Sequence, residues 1–269
     1  MSDPRVVLIT GASSGVGQAT ARLLSQRGFT VIGTSRNQAG AEPIPTVEML
    51  PLDVRADDSV RACVDAVFSR VGRLDVLINN AGHELAGALE ELSAEEARAH
   101  FETNFFGVVR MVNAVLPFMR QNKRGHIINV SSLSGLSPIP FLGLFRQQVC
   151  FGRVHRGFTA RSQTFPDSRV ADGSGLSQDA DDAPPAGRCH SPCRLRHVAR
   201  ALTAIRASEE RGPGPELVAR TLLEIVSNPT PRLRHLIGRQ ATWVTRLRRF
   251  LPARLYEQGV RSTFSIDRN

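Results

Sequence analysis

Lysine is almost missing from this chain: Lys123 is the only one among 34 basic residues in 269. Tyrosine and tryptophan occur once each, as Tyr256 and Trp243, and aromatics make up only 6% of the residues. The net charge of +9 and the isoelectric point near 10.9 would suit a nucleic-acid binder. Such a protein, however, gathers its basic residues in a stripe beside aromatic platforms or zinc-finger spacings. Here the arginines are scattered until roughly the last forty residues, so no nucleic-acid role is expected. The four cysteines, Cys63, Cys150, Cys189 and Cys193, form no CxxC pair, and the last two have only His190 as a nearby further ligand. That spacing points to free thiols in a reducing compartment and to no metal. No apolar run approaches membrane-spanning length, and the first β-rich run is reached by Val6 without a charged leader or apolar signal core. A cytoplasmic protein without a membrane span is the expectation.

What is present is a chain of the size of one large α/β domain, able to bury a core without disulfides or metals. Arg5 to Thr10 is a short apolar β-rich run, and Gln18 to Gln26 has helical periodicity closed by Gly28. Val31 to Thr34, Val47 to Leu52, Leu74 to Asn79 and His126 to Ser131 read as further strands. Asp58 to Val71 and Ala94 to Met119 read as helices between them. Strand and helix alternating at this spacing predict right-handed crossovers and a parallel, doubly wound sheet.

The first strand-to-helix turn is Thr10-Gly11-Ala12-Ser13-Ser14-Gly15-Val16-Gly17. Glycines allow a sharp turn and close approach of a ligand, and the helix beginning near Gly15 offers unpaired N–H groups and a positive dipole to a pyrophosphate. Such a pattern alone is also compatible with a structural turn. Four further motifs follow in order: Asp53 with Val54, the Asn79-Asn80-Ala81-Gly82 tetrad, Asn104, and the strand end Val130-Ser131-Ser132.

With those motifs at these spacings, residues 5 to 144 resemble the short-chain dehydrogenase/reductase family almost continuously. The resemblance implies a Rossmann-type domain in which Asp53 contacts the adenine and Asn80, Ala81 and Gly82 line the cofactor cleft. It further implies that Asn104 and Ser132 join the catalytic group, Asn104 in a water relay and Ser132 as a hydrogen-bond donor to a substrate oxygen. At the end of the second strand, NAD-preferring relatives carry an acid that bonds the ribose 2′-OH; this chain has Ser35 and Arg36. A carboxylate would repel a 2′-phosphate and a guanidinium grips one, which favours NADP(H) over NAD. The alternative for Arg36 is a solvated loop residue.

The resemblance fails after Ser132. The family's proton-transferring tyrosine, thirteen positions on, corresponds to Phe145, and the lysine four residues later, which lowers that tyrosine's pKa, corresponds to Val149. Neither side chain can move a proton. No Tyr-x-x-x-Lys exists anywhere in the sequence. From Phe145 to about Arg200 periodicity is lost, and runs such as Gln178-Asp179-Ala180-Asp181-Asp182 read as disorder. The genetic code suggests why. Leu144 to Cys150, read from the second base of each codon, can encode Tyr-Ser-Ala-Ser-Lys-Phe-Ala, and Thr164 to Gly175 can be read in the same frame as a strand-like run with the family's Pro-Gly end. Residues from about 145 to 200 are therefore taken to be frameshifted between two compensating lesions, and the coding DNA tests this. The expectation for the chain as written is impaired or absent turnover, a poorly ordered middle segment, and an impaired version of the family's homo-oligomer.

Family-like texture returns at Ala201, with helices Ala201 to Arg211 and Pro215 to Ser227 and a last strand Arg234 to Gly238. Residues 1–269 are read as one domain: an intact cofactor-binding half (1–144), an aberrant segment (145–200) and C-terminal helices with a lid (201–269). The tail from Thr242 to Val260, with Trp243, Leu247, Phe250, Leu251, Leu255 and Tyr256 among arginines, reads as that lid over the substrate cleft, and as a membrane-touching amphipathic helix in the alternative. His83 and Glu84 read as loop residues near the cleft. The substrate implied by the resemblance is a small carbonyl or alcohol, lipophilic by analogy with bacterial members acting on lipophilic alcohols or steroids.

Overall fold

The computed structural model describes residues 4–37, 42–83, 85, 92–131, 214–238, 242–243 and 250–263. Ser132, Phe145, Val149, Glu84, the helix expected over Ala201 to Arg211 and the whole frameshift interval lie outside the described residues.

Five short strands form one parallel sheet: β1 (Val6–Ile9), β2 (Thr30–Ser35), β3 (Val47–Pro51), β4 (Val76–Asn79) and β5 (His126–Asn129), in the order β3-β2-β1-β4-β5. Successive strand side chains point to opposite faces, so a strand apolar throughout must be covered on both. Val7, Ile9, Val76 and Ile78 pack beneath α1 (Gly15–Gln26) and α5 (Pro215–Ser227), with Ala21, Leu24, Leu222, Ile225 and Val226. Leu8, Leu77 and Ile127 face the other way, onto α2 (Asp57–Val71) and α4 (Gly107–Gln121), through Val60, Val64, Val67, Met111, Val115 and Met119. The parity of β1 and β4 thus makes a doubly wound, Rossmann-type α/β fold, as the alternation of elements predicts.

α2 shows how the sequence sets this. Val60, Cys63, Val64 and Val67 recur at helical spacing and are all buried, while Asp57 and Asp58 complement the positive end of the helix dipole. α5 starts at Pro215, a residue pre-shaped for a first helical position. It docks on α1 and is tied to β1 by Arg5, whose guanidinium donates to the Val226 carbonyl at 2.6 Å.

Two expectations need correction. Arg234 to Gly238 forms no strand; the segment is irregular, and residues 232–236 are exposed, so it has no apolar face to add to the sheet. The single helix expected over Ala94 to Met119 is α3 (Ala94–Phe101), a π-helical turn (Glu102–Phe106) and α4. The turn is wider because the Gly107 N–H reaches the Glu102 carbonyl, five residues back, while Gly107 is pressed against Val54 so closely that a Cβ would stand 2.7 Å from Val54 Cγ2.

Candidate functional site

The strand order reverses between β1 and β4, which opens a crevice at the carboxyl ends of the two strands. The glycine loop leaves β1 on one side of it and Asn80–Gly82 leave β4 on the other. They almost touch. Gly11 has φ +67°, and a Cβ there would lie 2.9 Å from Ala81 Cα; a Cβ on Gly17 would collide with the Gly11 carbonyl oxygen and sit 2.6 Å from Asn80 Nδ2.

Thr10, which the sequence reading left without a role, is the hinge pin of this contact. Its hydroxyl oxygen accepts the N–H groups of Asn80 (2.9 Å) and Ala81 (3.0 Å). Asn80 answers by donating its side-chain amide to the carbonyls of Thr10 (3.1 Å) and Gly11 (2.9 Å). The Asn80 amide donors are therefore spent on shaping the glycine loop, and Asn80 serves the cleft as a brace.

Above that brace α1 presents an open N-terminus. Its N-cap, Ser14, has extended backbone and makes no side-chain capping bond, and the first turn holds no acid. Ser14 and Gly15 are exposed, Ser13 and Val16 half-buried. Unpaired N–H groups with the positive end of a helix dipole, and no acid in the helix's own first turn, fit a phosphate group.

At the end of β2, Ser35 is buried, and its hydroxyl donates to the Asn37 carbonyl (2.9 Å) and accepts the Asn37 N–H (3.3 Å). The turn so closed leaves Arg36 exposed. After β3, the Asp53 carboxylate is gripped by the Arg55 fork at 2.7–3.2 Å and accepts the Arg55 backbone N–H at 3.0 Å. These bonds, with the nearby charges of Arg55 and Arg36, hold its pKa below the usual 3.8 against the opposing effect of burial. Val54, expected with Asp53 among the cofactor-binding residues, has a side chain that is 6% exposed and packs under Gly107.

Asn104 sits in the π turn. Its carboxamide oxygen accepts the His83 N–H (3.1 Å) and its Nδ2 donates to the His83 carbonyl (2.8 Å), so it holds the stretch that follows Gly82. Nδ2 also lies 3.4 Å from Nε2 of His100, one turn earlier on α3. His100 is buried and meets His83 edge-on, ring centroids 5.1 Å apart. Burial lowers the pKa of both histidines; nearby Arg36 and Arg55 add to the effect on His83, and His83 adds to that on His100. His100 was not anticipated, although its i,i+4 spacing from Asn104 was the available signal.

Val130 donates its N–H to the Asn79 carbonyl (2.9 Å), which ties the chain after β5 to the end of β4. Lys123 stands on the opposite side of the sheet's length: it precedes β5, and all of that strand, about 13 Å, separates it from Ser131. Tyr256 lies in the C-terminal helix α6 (Ala253–Thr263). Among the described residues there is no group of three or more His, Cys, Asp or Glu side chains placed to hold a metal ion. In the tail, Trp243 and Phe250 are 62% and 78% exposed.

Known proteins resemble this chain in sequence and in fold. Residues 5–145 match the family model described as short chain dehydrogenase. The chain is 37% identical over 260 residues to the 3-ketodihydrosphingosine reductase of Bacteroides thetaiotaomicron, covering 87% of this chain and 88% of that protein. It spans about half the length of several other curated relatives. A short-chain dehydrogenase from Streptomyces avermitilis superposes with a TM-score of 0.74 at 26% identity, over 99% of this chain and 97% of that one. ElxO, solved with NADP bound, matches with a TM-score of 0.54 at 29% identity over 57% of this chain and 66% of its own; a Tyr→Phe variant of ElxO, solved with NADPH bound, matches equally. By its matching motifs, its parallel sheet and its braced glycine loop, this chain belongs to the short-chain dehydrogenase/reductase family of oxidoreductases.

Proposed function

We propose that this protein binds NADP(H) in the crevice between β1 and β4, and that the chain as written does not turn over. The observation that carries the first half is the open α1 N-terminus after β1, with Arg36 exposed at the end of the adjoining β2. The N–H groups of Ser14, Gly15 and Val16 hold the pyrophosphate, Arg36 the 2′-phosphate, and the Asp53–Arg55 pair the adenine end; Gly11, Ser13, Gly17, Ala81 and Gly82 shape the wall, with Ser35 and Val54 placing their neighbours. NADPH, when bound, supplies a hydride to a carbonyl carbon. The NADP-bound ElxO structures support this choice of dinucleotide, and the Tyr→Phe variant supports binding without a tyrosine hydroxyl.

The second half rests on the sequence. Phe145 and Val149 occupy the positions of the tyrosine and lysine, so Asn104 and Ser132 can orient a substrate oxygen but the family's proton-transferring pair is absent from its positions. The family's reaction on this scaffold is hydride transfer to a carbonyl or from an alcohol. Kinship with a 3-ketodihydrosphingosine reductase supports a lipophilic one.

A frameshift over about 145–200 accounts for the loss. The family-model match ends at 145, and α5 packs its apolar stripe in register on α1, which supports a restored frame by Pro215. Residues 1–269 on this reading remain one domain, with the family's homo-oligomer impaired. No helix among the described residues is long and apolar enough to cross a membrane. The buried, unpaired Cys63, its thiol pushed up to about 11 by burial, suits the reducing cytoplasm.

Fluorescence titration with NADPH and NADH tests the cofactor assignment: saturable binding, tighter for NADPH, supports it, and equal or absent binding refutes it. Sequencing the coding DNA tests the frame. Codons that cannot encode Tyr-Ser-Ala-Ser-Lys in the shifted frame dismiss the frameshift and leave a lineage that lost its proton donor by substitution.

A further inference from the structure

Of the seven large apolar side chains exposed among the described residues, five lie in the C-terminal stretch: Leu233, Leu236, Trp243, Phe250 and Leu255. Isolated apolar residues on a surface need no explanation, but a concentration in one short stretch does. The charge is concentrated there too. From Arg232 to Arg261 the sequence has eight arginines against one carboxylate, Glu257, a net +7 out of the whole chain's +9. Arg232 and Arg254 are exposed next to Leu233 and Leu255.

Arginine beside exposed tryptophan and phenylalanine suits two anionic partners, a nucleic acid or a lipid surface. The leucines decide between them. Stacking on bases rewards flat rings and cations, and aliphatic side chains gain nothing from it. A bilayer interface takes all three: the aliphatic groups enter the acyl boundary, tryptophan sits at headgroup level, and arginines meet the phosphates.

We propose that the C-terminal stretch docks this protein peripherally on anionic lipid bilayers through Leu233, Leu236, Trp243, Phe250 and Leu255, with the flanking arginines on the lipid phosphates. The docking needs no cofactor and stands apart from the NADP(H) assignment. It places a cleft expected to take lipophilic molecules at the surface where they partition.

Trp243 is the only tryptophan, so its emission reports on this stretch alone. The full-length protein is mixed with vesicles of phosphatidylcholine, with and without about a third phosphatidylglycerol. The expected result is a blue shift and co-sedimentation with the anionic vesicles only, both lost at about 0.5 M salt, where charges are screened within a few ångströms. Each arginine near such a surface changes partitioning about fivefold. The triple variant Arg232→Glu, Arg234→Glu, Arg254→Glu therefore lowers partitioning about a hundredfold or more, with NADPH binding and far-ultraviolet circular dichroism unchanged. Phe250→Ser reduces the blue shift and leaves the salt dependence in place. Unchanged Trp243 emission with anionic vesicles overturns the proposal, as does equal binding to pure phosphatidylcholine, wild-type binding by the triple variant, or binding to duplex DNA without binding to vesicles.

Discussion

Asn104 holds His83 by both backbone polar groups, accepting its N–H at 3.1 Å and donating to its carbonyl at 2.8 Å. The side chain of one helix turn thereby replaces a missing strand neighbour for the loop that follows β4. Asn104→Ala removes both bonds from a water-accessible segment, so the loss of stability is about 1–2 kcal/mol, read from the urea midpoint. The larger effect is on NADPH affinity, because Gly82 loses its anchor. Asn104→Asp keeps only the accepting half of the contact and does not restore affinity.

Gly17 and Gly15 separate space from backbone conformation. Gly17→Ala drives a methyl group into the Gly11 carbonyl and the Asn80 amide, neither of which can withdraw without breaking the brace. Destabilisation of about 3 kcal/mol or more is expected, together with loss of dinucleotide binding. Gly15 has φ +54° and nothing within 4 Å of an added Cβ. Gly15→Ala costs only about 1–2 kcal/mol, from the left-handed backbone. Equal thermal shifts for the two variants would contradict this assignment of causes.

Arg36→Glu exchanges a partner of the 2′-phosphate for a repeller of it. Loss of a charge-assisted contact worth about 2 kcal/mol weakens NADPH binding about thirtyfold. NADH binding is expected to be unchanged or improved, since the new carboxylate can accept from a ribose hydroxyl. Calorimetric titration with both dinucleotides provides the comparison.

Stability should fall on mild acidification. His83, His100 and His126 all have pKa values lowered from 6.5, chiefly by burial, so the fold prefers their neutral forms. Above pH 6.5 they contribute no pH dependence, because they are neutral in both states. As the pH drops below that value the unfolded chain takes up protons first, and stability declines until the folded-state pKa values are passed. Asp53 and Glu96, lowered from 3.8 and 4.5, lose their stabilising contributions only below about 4.5. Urea midpoints between about pH 7 and pH 5 therefore isolate the histidines, and His100→Gln, which retains an acceptor for Asn104, should flatten the slope.

The sequence revealed most where a pattern was enforced by burial on two faces. β1 is apolar at every position, β4 at all but its last, Asn79, and α2 keeps a strict helical stripe, so the doubly wound sheet could be read from periodicity. The glycine loop was equally plain, because Gly11 and Gly17 answer a steric demand that no other residue meets. Tertiary contacts were harder to see. The π turn exists because Gly107 is pressed onto Val54, fifty-three positions earlier, and nothing in the local sequence reveals that pairing. Nor does it reveal that the Asn80 amide bonds the carbonyls of Thr10 and Gly11. The exposure of Trp243 and Phe250 is likewise a tertiary property that the composition of the tail does not reveal.

The central claim is that a dinucleotide is held although Phe145 and Val149 stand at the positions of the family's proton-transferring pair. One preparation of the full-length protein, titrated with NADPH by fluorescence and then mixed with long-chain and small ketones while absorbance at the nicotinamide band is followed, measures both halves together. Saturable binding with no ketone-dependent oxidation of NADPH is the predicted result. Ketone-dependent oxidation above the protein-free rate, lost on Ser132→Ala, would contradict it.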